Sequence, residues 1–239
     1  MQRALAWLRK EGESLDFRWR PALIVIVFIL VWLTPVYWKG ELFYDALRAI
    51  GGDDFLRAAR KIGFTHSVAL RLLVPTLVLF LSRERLRDFG LGLGDVRAGL
   101  RIAGVFYALY VPCFIFLMLN DSFTGHYKGV AQRYDTWGEF MLYEVTSVAV
   151  LMIAGEYFFR GFLLFGVARS YGAFAGILVH LIPYVYGHHT KVAVEAFGSL
   201  PVGFALAWLA IRTKSIWYGI ILHATIALGF NAILYARGH

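Results

Sequence analysis

The sequence predicts an all-α protein, a polytopic bundle of about seven transmembrane helices, with six to eight as the range. Three observations predict this class. The chain has 239 residues, of which 59% are hydrophobic and 17% charged, and its mean hydropathy is +0.61. This composition is too apolar for a soluble globular domain. Apolar stretches near the ~20 residues that cross a bilayer recur along the chain, and basic or aromatic residues flank them.

The predicted spans belong to a single membrane domain over residues 1–239. Within it we expect a basic amphipathic arm over residues 1–20, N-terminal spans and connectors over residues 21–137, and a core over residues 138–239. The approximate spans are 22–38, 66–82, 102–119, 138–168, 173–186, 200–211 and 216–235. The fourth exceeds the ~20 residues that one crossing needs, so we expect it to tilt, to kink near Gly155 or to extend past the membrane.

Local signals support the elements in order. The first span ends in Tyr37 and Trp38, which are typical of the aromatic belt at a membrane interface. The apolar pattern of residues 39–65, interrupted by Gly51 and Gly52, predicts two short amphipathic helices at an interface. The fifth and sixth spans are short, as expected where helices enclose a cavity.

The distribution of Lys and Arg predicts the orientation. With a cytoplasmic N-terminus, the basic loops at residues 83–101, at Arg169 and at residues 212–214 all fall on the cytoplasmic side. The first external loop does not fit, because it carries five basic residues that the rule keeps inside: Lys39, Arg48, Arg57, Arg60 and Lys61. The orientation therefore rests on the three cytoplasmic loops.

Several function classes are disfavoured. The net charge of +8 is explained by the flanks of the spans, so no nucleic-acid partner is expected. The glycine-rich stretch 89–95 follows no strand and predicts a plain loop, not a dinucleotide site. The single cysteine, Cys113, excludes a disulfide framework and has no adjacent histidine for thiol chemistry.

Glu156 and Arg160 stand four residues apart in a run otherwise apolar enough to span a membrane. On a helix they share one face, with the acid N-terminal to the base, which is the favourable order for an ion pair. A charge near the bilayer centre costs roughly 2.5 to 3.5 kcal/mol on insertion scales, and such residues usually mark function. The pair is the first candidate site, with a purely structural helix contact as an equally weighted alternative.

Histidines in the later spans extend this candidate. His188 stands where a span ends and is followed by His189, Lys191 and Glu195. Adjacent histidines on a helix point about 100° apart and are poor partners for one ion, and no HExxH motif is present, so we expect no metal and no cofactor. His180 has no partner by spacing, and we expect a structural role for it.

His223 lies well inside the last span, and Asn231 follows eight residues later on roughly the same face. His223 could be a hydrogen-bonded core histidine, and Glu144 is a weaker candidate near the interface. Combined with Glu156 as the base and His188 as a second imidazole, these residues predict a site that activates water against an amide, with Asn231 donating to the oxyanion.

At this point the chain resembles a known family, the CAAX-protease and bacteriocin-processing (Abi, CPBP) membrane proteins, which include the type II CAAX prenyl endopeptidases. The resemblance covers residues 140–231. The family's first motif, Glu-Glu-x-x-x-Arg, reads Gly155-Glu156-Tyr-Phe-Phe-Arg160 here, and its second, Phe-x-x-x-His, reads Tyr184-Val-Tyr-Gly-His188.

The third motif, His-x-x-x-Asn/Asp, reads His223-Ala-Thr-Ile-Ala227. Two positions depart from the family. Gly155 replaces the glutamate to which the family's base is assigned, and Ala227 replaces the asparagine. Glu156 matches the second glutamate, and its ion pair with Arg160 makes it a weaker base.

A bacterial branch of the family is similar in having a single glutamate and a His-x-x-Lys followed by another glutamate. His188, Lys191 and Glu195 resemble that pattern. In this branch Glu156 is expected to act as the base and Asn231 to replace the missing donor, with Arg160, Lys191 and Glu195 in support.

The resemblance implies a glutamic-type endopeptidase of the bacterial inner membrane, which cleaves a membrane-associated peptide or protein within the lipid bilayer. Similar bacterial members are linked to bacteriocin processing, to self-immunity or to trimming of C-terminal sorting segments, and the sequence does not choose among these. The alternative is a non-catalytic scaffold or bacteriocin-immunity protein of the same fold. A proton-relay transporter is disfavoured, because no inverted repeat of broken helices is visible in the sequence.

Overall fold

The computed structural model describes residues 18–61, 63–127, 129 and 134–238. The basic arm that the sequence predicts over residues 1–20 therefore lies, up to residue 17, outside the described residues. The described helices are α1 Trp19–Tyr37, α2 Glu41–Lys61, α3 His66–Leu81, α4 Val96–Met118, α5 Asp121–His126, α6 Trp137–Glu156, a π-helix Tyr157–Leu164, α7 Phe165–Tyr186, α8 Ala193–Thr213 and α9 Trp217–Gly238. A short 3-10 helix, Leu86–Phe89, follows α3. The all-α prediction is confirmed.

Among the described residues, five helical runs are long and apolar enough to cross a membrane: α1, α4, the continuous run from Trp137 to Tyr186, α8 and α9. The run of 50 residues folds back at Gly172, whose φ of +88° is one that glycine adopts without steric cost. Its second leg packs against its first, since the Phe159 and His180 rings lie 6.3 Å apart. The run thus supplies two crossings. With the shorter α3, the described helices provide seven crossing segments, in agreement with the predicted bundle.

One end of the bundle gathers the basic loops, and we call it the basic end. Glu84, after α3, accepts hydrogen bonds from Arg20 at 3.1 Å and from Arg169 at 2.8 Å. Arg212, at the end of α8, lies 3.5 Å from Asp95. The start of α1, the loop after α3, the bend of the long run and the turn between α8 and α9 therefore meet at this end, as the charge distribution predicts.

The segment between α1 and α3 lies at the opposite end. It is helical over Glu41–Lys61 but breaks at Gly52, whose φ is +73°, so two short helices are present as the glycine pair predicts. Leu47, Leu56 and Ala59 are buried in a small apolar cluster. The Tyr44 hydroxyl lies 3.2 Å from His66 Nδ1 and ties the segment to the start of α3.

The glycine-rich stretch after the 3-10 helix is a loop that fixes the start of α9. Four hydrogen bonds attach it to the turn between α8 and α9: Asp95 N–H to Thr213 O at 2.9 Å, Ile216 N–H to Gly90 O at 2.9 Å, Trp217 Nε1–H to Leu91 O at 3.0 Å, and Tyr218 O–H to Leu93 O at 2.8 Å. These bonds pair backbone groups of the loop with the turn and with side chains at the start of α9. They also set the position of α9, and hence of His223.

The π-helix runs through the centre of the main apolar core. Phe158, Phe162 and Leu164 have no exposed surface, and Phe158 stacks on Phe28 of α1 with ring centroids 4.3 Å apart. For this region the sequence leaves open a tilt, a kink near Gly155 or an extension past the membrane. The structure instead widens the helix from Tyr157 onward, and the axis turns only at Gly172.

We predict that Gly94→Ala weakens the attachment of this loop. Gly94 has a φ of +58°, and an added Cβ would lie 1.9 Å from the carbonyl oxygen of Thr213. A residue forced into this region costs roughly 1 to 3 kcal/mol. Thermal unfolding in detergent micelles should show a lower midpoint for this variant.

The matched control is Gly104→Ala in α4, where an added Cβ has no neighbour within 4 Å. Replacing a helical glycine by alanine is neutral or favourable by up to ~1 kcal/mol. Equal midpoints for the two variants would show that the loop does not hold α9.

Candidate active site

Glu156, the last residue of α6, is the centre of the site. It is 2% exposed, and its Oε1 accepts a hydrogen bond from Nη1 of Arg160, which is 1% exposed. The same oxygen accepts a second bond from His223 Nδ1 at 3.0 Å. The structure therefore places the predicted Glu156 and Arg160 pair inside the bundle and adds His223 to it.

Two local features allow this arrangement. Arg160 lies in the π-helix, a form that recurs at functional sites and is rare elsewhere. Gly219, four residues before His223 on α9, faces the carboxylate, because an added Cβ there would lie 2.9 Å from Glu156 Oε2. The absence of a side chain at Gly219 lets α9 approach α6 closely enough for His223 to reach Glu156.

His223 connects the buried pair with the protein surface. Its side chain is 32% exposed, against 2% for Glu156. It stands six residues after Trp217, so it lies roughly 9 Å along α9 from the basic end at 1.5 Å per residue. With Nδ1–H donating to the carboxylate, Nε2 is the ring nitrogen left to accept or return a proton.

Several buried polar atoms near this pair have no hydrogen-bond partner within the described chain: Glu156 Oε2, Arg160 Nε and Nη2, and both ring nitrogens of His180. The Arg160 guanidinium lies over the Tyr184 ring at 4.9 Å, and His180 stacks on the same ring at 5.3 Å. These buried donors and acceptors without a protein partner are thus grouped around Tyr184 and Glu156.

The sequence predicts a structural role for His180, because spacing gives it no partner; the structure brings it near the site. The fold-back at Gly172 supplies the partner. It sets residues after the bend beside residues before it, so His180 lies next to Phe159, the neighbour of Arg160. Gly172, which lies between the fourth and fifth predicted spans, is the residue in the sequence that indicates this fold-back.

His188 reaches the site only indirectly. It follows the end of α7, its Nδ1 lies 2.8 Å from the carbonyl oxygen of Tyr184, and its ring centroid lies 4.8 Å from that of Tyr184. Among the residues that the structure describes, no hydrogen bond joins His188 to Glu156 or Arg160. Tyr184 therefore separates the second imidazole from the carboxylate.

Lys191 and Glu195 form a separate group with Tyr127. Lys191 Nζ lies 3.6 Å from Glu195 Oε1 and 5.4 Å from the centroid of the Tyr127 ring. The Tyr127 hydroxyl donates to Glu195 Oε2. Burial, with the nearby Glu195 carboxylate, raises the pKa of Tyr127 and keeps its hydroxyl protonated. These supporting residues lie at the end of the bundle opposite the basic end.

Asn231 also lies apart from Glu156, which differs from the expectation of a shared oxyanion site. Its Nδ2 donates to Glu144 Oε2 at 2.6 Å, and Tyr134 donates to Glu144 Oε1 at 2.8 Å. Eight residues keep two side chains on one helix face but separate them by about 12 Å along the axis. Asn231 therefore joins Glu144, which is 2% exposed and not at a solvated interface as the sequence suggests.

Within the described ranges, no three His, Cys, Asp or Glu side chains are grouped in a way that could hold a metal ion.

The comparisons with known proteins bear on this geometry. Residues 137–229 match the family described as Type II CAAX prenyl endopeptidase Rce1-like. Over this segment, the chain is similar to the Rce1-like family. The family resemblance is thereby confirmed, while the bacterial branch remains a prediction. No significant match is found among curated proteins or solved structures.

The Rce1-like segment covers roughly two fifths of the chain. It contains Glu156, Arg160, His180 and His223 and stops two residues before Asn231. The family segment and the hydrogen-bonded centre of the site therefore coincide, whereas the amide of Asn231 lies beyond the segment.

We predict that Arg160→Met strongly destabilises the protein. It leaves Glu156 as a buried charge without its cation, and breaking such a pair costs roughly 3 to 5 kcal/mol. The double variant Glu156→Gln, Arg160→Met should recover much of this loss, since no unpaired charge remains. Unfolding midpoints in detergent micelles measure both.

The control is Arg57→Met, which removes an exposed ion pair with Asp54 on α2. Exposed pairs contribute about 0 to 1 kcal/mol, so this midpoint should barely change. If Arg160→Met behaves like Arg57→Met, the buried pair does not organise the site.

Proposed function

We propose that this protein is an intramembrane CAAX-type endopeptidase in which Glu156 and His223 activate water against a peptide bond. The match of residues 137–229 to the Rce1-like family supports CAAX-type protease activity in general. The observation that carries the finer proposal is the state of the Glu156 carboxylate. One oxygen is held by Arg160 and His223, while the other is buried without a protein partner.

The proposed reaction begins with a water molecule at Glu156 Oε2. The carboxylate accepts one proton from the water as its oxygen bonds to the carbonyl carbon of the substrate. The negative charge then resides on the former carbonyl oxygen, where the unused N–H groups of Arg160 are suited to receive it. When the C–N bond breaks, the proton held by Glu156 passes to the leaving nitrogen.

His223 fits the role of proton carrier in this scheme. Its Nδ1–H donates to the carboxylate and fixes the ring, leaving Nε2 near the partly exposed edge of the site. Glu156 carries the water proton to the leaving nitrogen, and Nε2 of His223 can exchange a proton with the newly formed acid or amine at this edge.

The proposed substrate is a peptide or protein that lies in or on the membrane, in a bacterial inner membrane. The exposed part of His223 lies on a helix that is long and apolar enough to cross the bilayer. A substrate segment within the bilayer can therefore approach the site from the side. We assign His188 a supporting role through Tyr184 and assign Asn231 to the Glu144 group.

A second candidate function is a non-catalytic scaffold or immunity protein of the same family. Two observations favour this second function. Arg160 and His223 both donate to Glu156 Oε1, and Gly155 stands where the family carries a carboxylate. In that case the Glu156, Arg160 and His223 cluster would only hold α6 and α9 together.

Glu156→Gln should abolish proteolysis by the full-length protein in proteoliposomes, with a loss of at least about 100-fold. Two peptide probes are used, one farnesylated and ending in Cys-Ala-Ala-X, the other anchored by a transmembrane helix. A matched control is Glu144→Gln, an equally buried carboxylate on the same helix. Loss in both variants, or in neither, would contradict the assignment of Glu156 as the base.

Gly155→Glu separates the two candidate functions. An added Cβ at Gly155 meets no atom within 4 Å, so a longer side chain can be accommodated. For an endopeptidase we expect cleavage by the natural protein and a change of less than about tenfold in the variant. Gly155→Gln is the isosteric control without charge. Cleavage that appears only with Gly155→Glu identifies the natural protein as the scaffold.

A further inference from the structure

His180 is a fully buried histidine with no hydrogen bond within the described chain. Its exposed fraction is 0%, and neither ring nitrogen has a partner. A buried polar group left unsatisfied costs roughly 1 to 3 kcal/mol. A ring retained for packing alone would be better served by phenylalanine, which fills a similar space without that cost. The nitrogens of His180 therefore require another partner.

The surroundings of His180 indicate what that partner is. The imidazole stacks on Tyr184 at an interplanar angle of 28°, and the Arg160 guanidinium lies over the same tyrosine. Arg160 has two unpartnered nitrogens, and its ion-pair partner Glu156 has one unpartnered oxygen. Donors and acceptors are both present in this group, and buried water typically makes about three hydrogen bonds to groups of this kind.

We propose that His180 binds the water molecule that Glu156 deprotonates. This inference rests on the proposed endopeptidase function and assigns a residue to it. A neutral imidazole offers one donor and one acceptor, so His180 can hold the water by one ring nitrogen while the water donates to Glu156 Oε2. In the reaction the water proton goes to Glu156 and the water oxygen bonds to the substrate carbonyl carbon, while His180 keeps its own proton.

The test is His180→Phe in the full-length protein. Phenylalanine keeps the stacking on Tyr184 and the contact with Phe159 but removes both nitrogens. We expect an unfolding midpoint close to that of the natural protein, because phenylalanine keeps the shape and packing of the ring while the bound water loses only one of its partners. Cleavage of the anchored peptide probe should fall by at least about tenfold.

Two further variants separate water binding from packing. His180→Asn keeps a donor and an acceptor in a smaller side chain and should recover part of the activity lost in His180→Phe. His189→Phe is the matched control, since His189 also stacks on a tyrosine, Tyr186, at 4.7 Å but is exposed. It should leave both the midpoint and the cleavage rate unchanged.

Each outcome decides the proposal. Full activity of His180→Phe overturns the role of His180 and leaves the proposed function intact, provided that Glu156→Gln is inactive. A clearly lower midpoint for His180→Phe also overturns it, because the nitrogens would then be satisfied by the fold itself. If the natural protein cleaves neither probe, while Gly155→Glu does, both the endopeptidase function and the role of His180 are overturned.

Discussion

The structure depends on one carboxylate that must be charged and buried at the same time. Isolated charges in a bilayer cost several kcal/mol, so Glu156 requires a cation within its own bundle, and Arg160 supplies it one turn later. His223 then bonds to the same oxygen from another helix. This three-residue contact joins the long helix to α9, and the close approach at Gly219 makes it possible. The glycine-rich loop, which is hydrogen-bonded to the start of α9, holds α9 at this position against α6.

Much of the fold could be predicted because membrane spans are determined by apolar length and by charged flanks. The seven crossing segments and the grouping of the basic loops at one end followed from these two signals. The π-helix did not, because its sequence is as apolar and helix-compatible as its neighbours. The continuous run through Gly172 was also partly hidden, since a single positive-φ glycine leaves the helical pattern on either side unbroken.

The site was predictable only in part, for a similar reason. The spacing of Glu156 and Arg160 reports a contact within one helix, which sequence periodicity records directly. Asn231 shares a face with His223, but periodicity does not record the distance along the axis, and this residue bonds to Glu144 instead. His180 is close to Arg160 only through the fold-back, a contact between two crossings. Contacts of this type depend on packing, which a single sequence does not specify.

The replacement of the family's first glutamate by Gly155 gains a physical meaning from the two oxygens of Glu156. Where two carboxylates are present, one can hold the arginine while the other carries out the chemistry. In the proposed mechanism there is one carboxylate, and the two tasks are divided between its oxygens. Oε1 is engaged by Arg160 and His223, and Oε2 is the oxygen without a protein partner. This division requires that no other protein group donates a hydrogen bond to Oε2. Gly219 faces this oxygen and has no side chain that could donate one.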